Sequence, residues 1–203
     1  MAQEAADLMT RRRKVLDAAR VIFAEEGGLD AGLRKIAAAA GYTTGAIYKM
    51  FSGKEDIYAA LLEESLHELH KAVSVGAAKE ADPEASLRAS VLAAIEYYQA
   101  HKFEYQLGLY LFEREGRKSL GAERDRELNE ILKDSMAVFQ ACFLRIGGGV
   151  MGEDEALERA HATFAAMIGV LALSFSKRDR SLETHWQLVL DSLLGALIVK
   201  PSR

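Results

Sequence analysis

The sequence is poor in residues that cross-link or interrupt a chain. It contains one cysteine, Cys142, and two prolines, Pro83 and Pro201, in 203 residues. A single cysteine excludes an internal disulfide and a cysteine-rich zinc site. The rarity of proline, together with long stretches rich in Ala, Leu, Glu, Lys and Arg, predicts an all-α fold.

Long apolar runs are also missing, although hydrophobic residues make up 50% of the chain. We find no apolar run as long as a membrane span, and the N-terminal segment lacks the apolar core of a signal peptide. We therefore expect a cytoplasmic, globular protein with no membrane partner. Cys142 lies in an apolar helical stripe, which predicts a buried thiol rather than a reactive one.

Charge of either sign is not in great excess, since the net charge is −4. Residues 1–53 carry eight Lys or Arg against six Asp or Glu, a net charge of +2, which leaves −6 for residues 54–203. A mildly basic front and an acidic remainder are compatible with a DNA-reading head on a sensing body.

Motifs for catalysis are lacking. There is no nucleophile elbow and no phosphate loop, and the glycines at 147–149 lack the strand and spacing that dinucleotide binding requires. Glu64-x-x-His67 and Glu158-x-x-His161 leave open a di-metal helical-bundle enzyme. Helical periodicity places His67 opposite the leucines of its own helix, so we expect it in solvent and predict no enzyme, no cofactor and no metal.

What is present is a helix-turn-helix pattern in residues 33–58. Apolar residues recur at helical spacing up to Ala40, and Gly41 permits a left-handed stop. Thr43 can cap a second helix, predicted from Thr44 to Met50. Its inward positions are Ala46, Ile47 and Met50, and its outward positions are Thr44, Gly45, Tyr48 and Lys49.

The outward face has groups suited to DNA. Lys49 supplies a charge for phosphate or a guanine edge, the threonines offer hydroxyls, and Gly45 allows close approach to a groove. Ser52-Gly53-Lys54-Glu55 is predicted to be a capping box, with Ser52 at the N-cap and Glu55 at N3. Tyr48 and Lys54 would then contact the DNA backbone.

Residues 10–60 resemble the DNA-binding domain of the tetracycline-repressor (TetR) family of bacterial transcription regulators. The matching positions are Gly41, Thr43, Gly45, Ile47, Tyr48, Phe51, Lys54 and Glu55. The chain departs from the family at Asp30-Ala31-Gly32, where a Ser or Thr usually opens the second helix and touches phosphate. That contact is expected to pass to Lys35 or to a backbone amide. The predicted DNA-binding residues are Lys35, Thr43, Thr44, Gly45, Tyr48, Lys49 and Lys54.

The other helices, about nine in all, are predicted from periodicity and caps. The first begins near Thr10 and ends at Gly27-Gly28, and its basic start, Arg11 to Lys14, is assigned with equal weight to solvent or to DNA. The remaining predictions are a helix over 52–75 closed by Gly76, one over 83–102 opened by Asp82-Pro83, a buried helix over 103–114, a break at 117–121, and helices over 122–146, 154–175 and 182–199.

An aromatic and polar cluster in the body predicts either ordinary core packing or a mostly apolar pocket with a few polar groups. The resemblance implies that such a pocket holds a small apolar or aromatic inducer. The predicted ligand-binding residues are Tyr98, His101, Tyr105, Phe112, Phe139, Phe143, His161 and Phe164.

The last two long helices carry stripes of small residues, which serve either packing within one chain or contact between chains. The resemblance implies a homodimer built on these helices. The predicted interface residues are Ala165, Gly169, Ala172, Trp186, Val189, Leu193 and Ala196.

The resemblance implies an N-terminal three-helix DNA-binding domain, residues 1–53, and a C-terminal helical bundle for ligand binding and dimerisation, residues 54–203. The expected function is a ligand-responsive repressor that binds a palindromic double-stranded DNA operator as a homodimer. A helix-turn-helix regulator switched by a protein partner is the alternative that needs no small ligand.

Overall fold

The computed structural model describes residues 2–26, 31–109 and 120–199. Those ranges form ten α-helices and no β-strand, which confirms the all-α prediction. The helices are α1 Ala2–Glu26, α2 Leu33–Ala40, α3 Thr44–Ile47, α4 Lys54–Ala78, α5 Pro83–Ala100, α6 Lys102–Leu109, α7 Ala122–Gly147, α8 Glu153–Phe175, α9 Arg178–Ser181 and α10 Trp186–Ile198. The four-residue α9 is the helix that periodicity did not predict, because one turn is too short to show a period.

The chain divides into two compact units. The first comprises residues 1–66 and 102–129, and the second comprises residues 67–101 and 130–203. Helices α4 and α7 each contribute residues to both units. The sequence-based boundary after residue 53 separates a DNA-binding segment from a ligand-binding and dimerisation segment. It divides the chain by function rather than by packing, and it stays a prediction.

The core of the first unit is built from one face each of α1, α2 and α4. Helical spacing brings Val15, Ala19 and Phe23 of α1 to the buried side, as predicted. The ring of Phe23 meets the ring of Tyr58 edge-on, with centroids 5.5 Å apart. Further buried residues of this unit are Ile36, Ala37, Ile47, Phe51, Ile57, Leu61 and Leu62.

Helix α1 begins eight residues before the predicted start at Thr10. The segment before Thr10 is exposed and has no apolar face to reveal it, but Ala, Gln and Glu are good helix formers. Asp7 and Arg11 form an ion pair at 2.5 Å across one helical turn, and Thr10 donates to the carbonyl of Ala6 at 2.9 Å. The predicted stop at Gly27-Gly28 lies outside the described residues.

Helix α6 is less buried than predicted. Glu104, Tyr105 and Leu107 are buried, but Gln106 is exposed. The hydroxyl of Tyr58 donates to the carbonyl of Leu107 at 3.2 Å, and the guanidinium of Arg20 lies 3.4 Å from the Glu104 carboxylate. Residues 110–119, which hold the rest of this predicted helix and most of the predicted break, lie outside the described residues. Helix α7 begins at Ala122, as predicted.

The second unit packs α5 and α10 against α8, with the second half of α7 alongside. Its buried apolar residues include Leu87, Val91, Phe139, Phe143, Met167, Leu171, Leu190 and Leu194. The Ser86 hydroxyl donates to the carbonyl of Ala77 at 2.8 Å and lies 3.5 Å from the Cys142 sulfur. The thiol is buried, as predicted.

Gly76 does not end α4, contrary to the prediction, because the helix continues to Ala78. A Cβ at position 76 would lie 2.7 Å from the carbonyl oxygen of Ala89 and 2.8 Å from Cβ of Ala93. This glycine therefore lets the last turn of α4 approach α5 closely. The start of α5 is as predicted, since the Asp82 carboxylate accepts from the Ala85 amide at 2.8 Å and Pro83 follows the cap.

Helix α8 is long and apolar enough to cross a membrane by length and composition, contrary to the expectation that no segment would be. Its most apolar window is 33% buried. Core helices of soluble proteins pass the same test, so the finding is weak evidence for a membrane span.

Candidate nucleic-acid interface

The turn between α2 and α3 has a Schellman geometry. Gly41 adopts a left-handed conformation with φ 75°, as predicted. The Tyr42 amide donates to the Ala37 carbonyl at 2.9 Å, and the Gly41 amide donates to the Ala38 carbonyl at 3.1 Å. These two bonds satisfy carbonyls that the end of α2 leaves open, and they fix the direction in which the chain leaves the helix.

Thr43 caps the next helix, as predicted. Its backbone is extended, with φ −81° and ψ 156°, and its Oγ1 accepts from the Ala46 amide at 3.2 Å. The residue remains exposed to solvent. Thr43 can therefore order α3 and still present its side chain to a partner.

The second helix of the motif ends at Ile47 rather than at the predicted Met50. Beyond Ile47 the backbone tightens, since the Lys49 amide donates to the Ala46 carbonyl at 3.3 Å and the Met50 amide donates to the Ile47 carbonyl at 2.8 Å. Such bonds between residues three apart are typical of a 3₁₀ turn. After this tighter turn, Phe51 lies in the core and is 2% exposed.

The outward face of this segment is open. Tyr48 is 59% exposed, and Thr43, Gly45 and Lys49 are exposed beside it, whereas Thr44 is half-buried. A Cβ added at Gly45 would meet nothing closer than Thr43 Oγ1 at 4.0 Å. The face therefore combines two hydroxyls and an ammonium group on a surface without obstruction, which suits hydrogen bonds to base edges and phosphates.

The start of α4 differs in register from the predicted capping box. Helix α4 begins at Lys54, and the carboxylate that reaches back is that of Asp56, which accepts from the Ser52 amide at 3.0 Å. Glu55, one residue before Asp56 in the chain, was the residue predicted to accept this bond. Gly53, whose carbonyl accepts from the Ile57 amide at 3.3 Å, precedes the first helical residue.

Lys54 is half-buried, and its Nζ donates to the carbonyl of Ala31 at 3.4 Å. The side chain therefore links the start of α4 to the segment before α2. Its predicted contact with the DNA backbone stays a prediction.

The start of α2 lacks a side-chain cap, as the sequence predicts. Gly32 is the N-cap with φ −81° and ψ 133°, and no side chain in the described ranges bonds to the free amides. Lys35, the predicted substitute for the missing hydroxyl, forms an ion pair with Glu26 at the end of α1. Its charge is thus already compensated within the chain.

Arg34 is a candidate that sequence reasoning missed. It is exposed, and no acidic side chain in the described ranges pairs with it. Sequence alone offers no reason to prefer Arg34 over the adjacent Lys35 as a phosphate contact. The structure offers one, because Lys35 pairs with Glu26, nine residues upstream.

The four basic residues at positions 11–14 of α1 differ in the groups that they contact. Arg11 pairs with Asp7, and the hydrogen bond that its guanidinium donates to this carboxylate raises the pKa of Arg11. Arg13 contacts Glu64 at 2.5 Å and 3.0 Å, and that hydrogen bond raises the pKa of Arg13. Lys14 is exposed and pairs with no carboxylate in the described residues. Arg12 binds within the first unit, to Met50 and Phe51.

Most of the predicted ligand-binding aromatics are buried or half-buried. Tyr98, Phe139 and Phe143 are buried in the second unit, where Phe164 is half-buried, and Tyr105 is buried in the first unit. Burial raises the pKa of Tyr105. Phe112 lies outside the described residues.

The two predicted histidines do not share this burial. His101 and His161 are exposed, which does not fit the predicted cluster of core or pocket residues. His101 Nδ1 lies 2.8 Å from the carbonyl of Tyr97, and His161 Nδ1 lies 2.8 Å from the carbonyl of Leu157. Each ring folds back on its own helix, which periodicity alone does not reveal.

Two other buried polar atoms of the second unit have no hydrogen-bond partner among the described residues: Nδ1 of His70 and Oγ of Ser135. Ser135 is 3% exposed. Seven residues separate His70 from Ala77 on α4 and Ser135 from Cys142 on α7. Seven residues return a helix to the same face two turns away. His70 therefore lies on the same face of α4 as Ala77, and Ser135 lies on the same face of α7 as Cys142. Ala77 and Cys142 both contact Ser86.

The small-residue stripe of α8 is not used for packing within the described part of the chain. Ala165, Gly169 and Ala172 are exposed, and nothing lies within 4 Å of a Cβ added at Gly169. On α10, Leu193 and Ala196 are exposed and Trp186 and Val189 are half-buried. The structure thus leaves an apolar face on two helices that pack on each other through their other sides.

The Glu-x-x-His motifs do not converge on a site. His67 is exposed, as helical periodicity predicts, and Glu64 pairs with Arg13 and Arg20. Across residues 2–26, 31–109 and 120–199, no group of three His, Cys, Asp or Glu side chains is placed to hold a metal ion.

Residues 15–61, which contain α2, α3 and the turn between them, match the family model described as bacterial regulatory proteins, tetR family. These residues are a TetR-family DNA-binding domain. A segment of 65 residues is 40% identical to the uncharacterized HTH-type transcriptional regulator TtgW of Pseudomonas putida, and it covers 32% of this chain and 48% of that protein. The chain therefore spans about half the length of this curated relative.

Solved structures extend the likeness in fold to nearly the whole chain. The putative regulatory protein SCO4313 has a TM-score of 0.78 at 19% identity, covering 95% of this chain and 97% of that one. The transcriptional regulator FadR from Bacillus subtilis, solved in complex with stearoyl-CoA, has a TM-score of 0.70 at 19% identity, covering 94% and 99%. These matches establish the TetR fold, with an N-terminal helix-turn-helix and a C-terminal helical domain.

Proposed function

We propose that the protein is a ligand-responsive transcriptional repressor that binds a palindromic DNA operator as a homodimer in the bacterial cytoplasm. The observation that carries the proposal is the open face of Thr43, Gly45, Tyr48 and Lys49 behind a rigid Schellman turn. Residues 1–53 read the operator, and residues 54–203 bind the ligand and the second copy. As a member of a regulator family, the chain has a binding function, and we assign it no reaction.

Selection of bound sequences from a random pool of double-stranded DNA tests this proposal. The expected result is a two-fold symmetric sequence whose half-sites lie one helical turn or more apart. The selected DNA should bind with a Kd at least about 10³-fold below that of a scrambled duplex at the same salt concentration. No enrichment above the starting pool would overturn the assignment.

Dimerisation is supported by the exposed apolar face of α8 and α10. Exposed small residues on a helix allow another helix to approach closely, and both helices carry such residues. We propose that two copies pair through this face in a closed, two-fold arrangement. Two recognition segments, residues 44–51 of each copy, would then contact two half-sites.

The ligand is proposed to be a small apolar or aromatic molecule bound in the C-terminal domain. Tyr98, Phe139 and Phe143 supply buried aromatic surface, and the unpartnered atoms of His70 and Ser135 supply two polar groups for orientation. The fold is shared with Bacillus subtilis FadR, whose structure contains stearoyl-CoA. A long acyl chain on a polar head is therefore the first ligand to test, ahead of free aromatic compounds.

Ligand response is measured as release of the selected operator. A ligand that favours one state by about 1 to 3 kcal/mol changes operator affinity about 5- to 150-fold, so a titration over that range is informative. His70→Ala should weaken the response without changing operator affinity in the absence of ligand, and His67→Ala, three residues away and exposed, is the matched control. If acyl-CoA thioesters, fatty acids and aromatic compounds all leave binding unchanged, the switch by a protein partner replaces this part of the proposal.

A further inference from the structure

Arg12 contacts the end of the recognition segment, although it lies 38 residues earlier in the chain. Its guanidinium carbon is 4.0 Å from the centroid of the Phe51 ring, and its Nη1 donates to the carbonyl of Met50 at 2.8 Å. Both partners belong to the residues that directly follow Tyr48 and Lys49. Arg12 is half-buried, unlike Arg11, Arg13 and Lys14 on either side of it.

The two contacts require a planar, multiply donating cation. A guanidinium can lie flat on an aromatic face while one of its N–H groups points to a carbonyl at the ring's edge. The ammonium group of lysine has no plane with which to stack, so it cannot keep the stacked contact on the ring. Because the Phe51 side chain is held in the core, at 2% exposure for the residue, Arg12 has a fixed platform.

The carbonyl of Met50 lies where the recognition segment needs support. Helix α3 has four residues, and the turn that follows holds Lys49 and Met50 by bonds between residues three apart. Carbonyls at the end of a helix are open and partially negative, and a cation there is favourable. One bond from Arg12 therefore fixes the end of a segment that is too short to be stable alone.

We propose that Arg12 is a positioning residue for operator recognition, rather than one of the cations that contact DNA phosphates. It ties α1 to the Met50–Phe51 end of the recognition segment and so sets the orientation of Tyr48 and Lys49 toward the bases. The inference rests on the proposed DNA-binding function, and it separates Arg12 from the basic run in which the sequence places it.

The two roles predict different dependences on DNA sequence and salt. A phosphate contact raises affinity for every duplex, and its loss reduces the slope of log K against log salt by about 0.9. Loss of a positioning residue lowers affinity for the operator alone and leaves that slope unchanged. Arg12→Lys separates the two roles best, because it keeps the positive charge and loses the planar contacts.

The experiment measures Kd for the selected operator and for a scrambled duplex, at several salt concentrations, with the full-length parent, Arg12→Lys, Arg12→Gln and Lys14→Gln. For both Arg12 variants we expect operator affinity to fall roughly tenfold, with scrambled-duplex affinity and salt slope like those of the parent for Arg12→Lys. Lys14→Gln removes a neighbouring exposed charge and should act equally on both duplexes. Arg12→Lys with parental operator affinity would overturn the inference.

Hydrogen exchange of the free proteins gives a second readout that needs no DNA. In Arg12→Lys the amides of residues 48–51 should exchange faster than in the parent, while those of α2 stay unchanged. Equal exchange at 48–51 would overturn the positioning role even if no operator were found. Failure of the parent to select any DNA, by contrast, would overturn the proposed function alone.

Discussion

The ammonium group of Lys35 forms an ion pair with the carboxylate of Glu26, which joins the first turn of α2 to the end of α1. The neighbouring Arg34 is exposed, with no acidic partner in the described part of the chain. A cation that is already paired has less to gain from a phosphate, because it must first give up its own partner. The phosphate contact that the family makes at this helix start is therefore expected from Arg34.

Arg34→Ala should weaken binding to operator and scrambled DNA alike and reduce the salt slope by about 0.9, the value for one phosphate contact. Lys35→Ala should leave the slope within error of the parent. Fluorescence anisotropy over a salt series measures both variants against the same duplexes. A slope change for Lys35→Ala and none for Arg34→Ala would restore the sequence-based assignment.

Lys49 and Lys54 are expected to differ in the same assay. Lys49 is exposed on the outward face beside Tyr48, so Lys49→Ala should reduce operator affinity most, by about 1 to 3 kcal/mol if it contacts a base edge. Lys54 is half-buried and donates to the Ala31 carbonyl. Lys54→Ala should weaken binding to all sequences and flatten the salt dependence. Parental binding by both variants would exclude this face as the DNA contact.

Local chemistry made the recognition motif predictable. Gly41 ends α2, Thr43 caps α3, and Asp82 with Pro83 opens α5, because each of these signals depends on a few neighbouring residues. The same reasoning shows that the hydroxyl usual at the start of α2 is missing.

Features that depend on distant partners were not predictable. In the sequence Gly76 resembles a glycine that ends a helix. In the structure a glycine is needed there because Ala89 and Ala93 of α5 approach it closely. The exposure of His101 and His161 depends on ring nitrogens that bond to their own helices. The hydrogen bond from Arg12 to the Met50 carbonyl joins residues 38 positions apart, so no local sequence pattern predicts it.

Gly76 provides a test of packing that does not involve DNA. In Gly76→Ala the new Cβ would lie 2.7 Å from a backbone oxygen of α5, so the two helices must separate. We expect the free energy of unfolding to fall by about 1 to 3 kcal/mol, although alanine is the better helix former. Val75→Ala, in the same helix and exposed, should change it by no more than about 0.5 kcal/mol. Chemical denaturation measures both, and a stabilised Gly76→Ala would contradict the close approach.

The exposed stripe on α8 provides a test of dimerisation. Ala172 is exposed in the single chain, so Ala172→Glu should leave the fold of that chain unchanged. In a dimer that pairs through this stripe, the carboxylate would be buried without a partner, at a cost of about 3 to 5 kcal/mol. Sedimentation equilibrium should then show a parent dimer and an Ala172→Glu monomer at the same concentration.

Ala137→Glu is the matched control for that change, because Ala137 is also exposed but lies on α7, outside the proposed interface. It should remain a dimer with parental operator affinity. Ala172→Glu should also bind the palindromic operator more weakly, since one monomer occupies a single half-site and loses the gain from joining two. An Ala172→Glu protein that stays dimeric would place the contact between copies on another face, whereas a monomeric parent that binds its operator tightly would remove the homodimer from the mechanism.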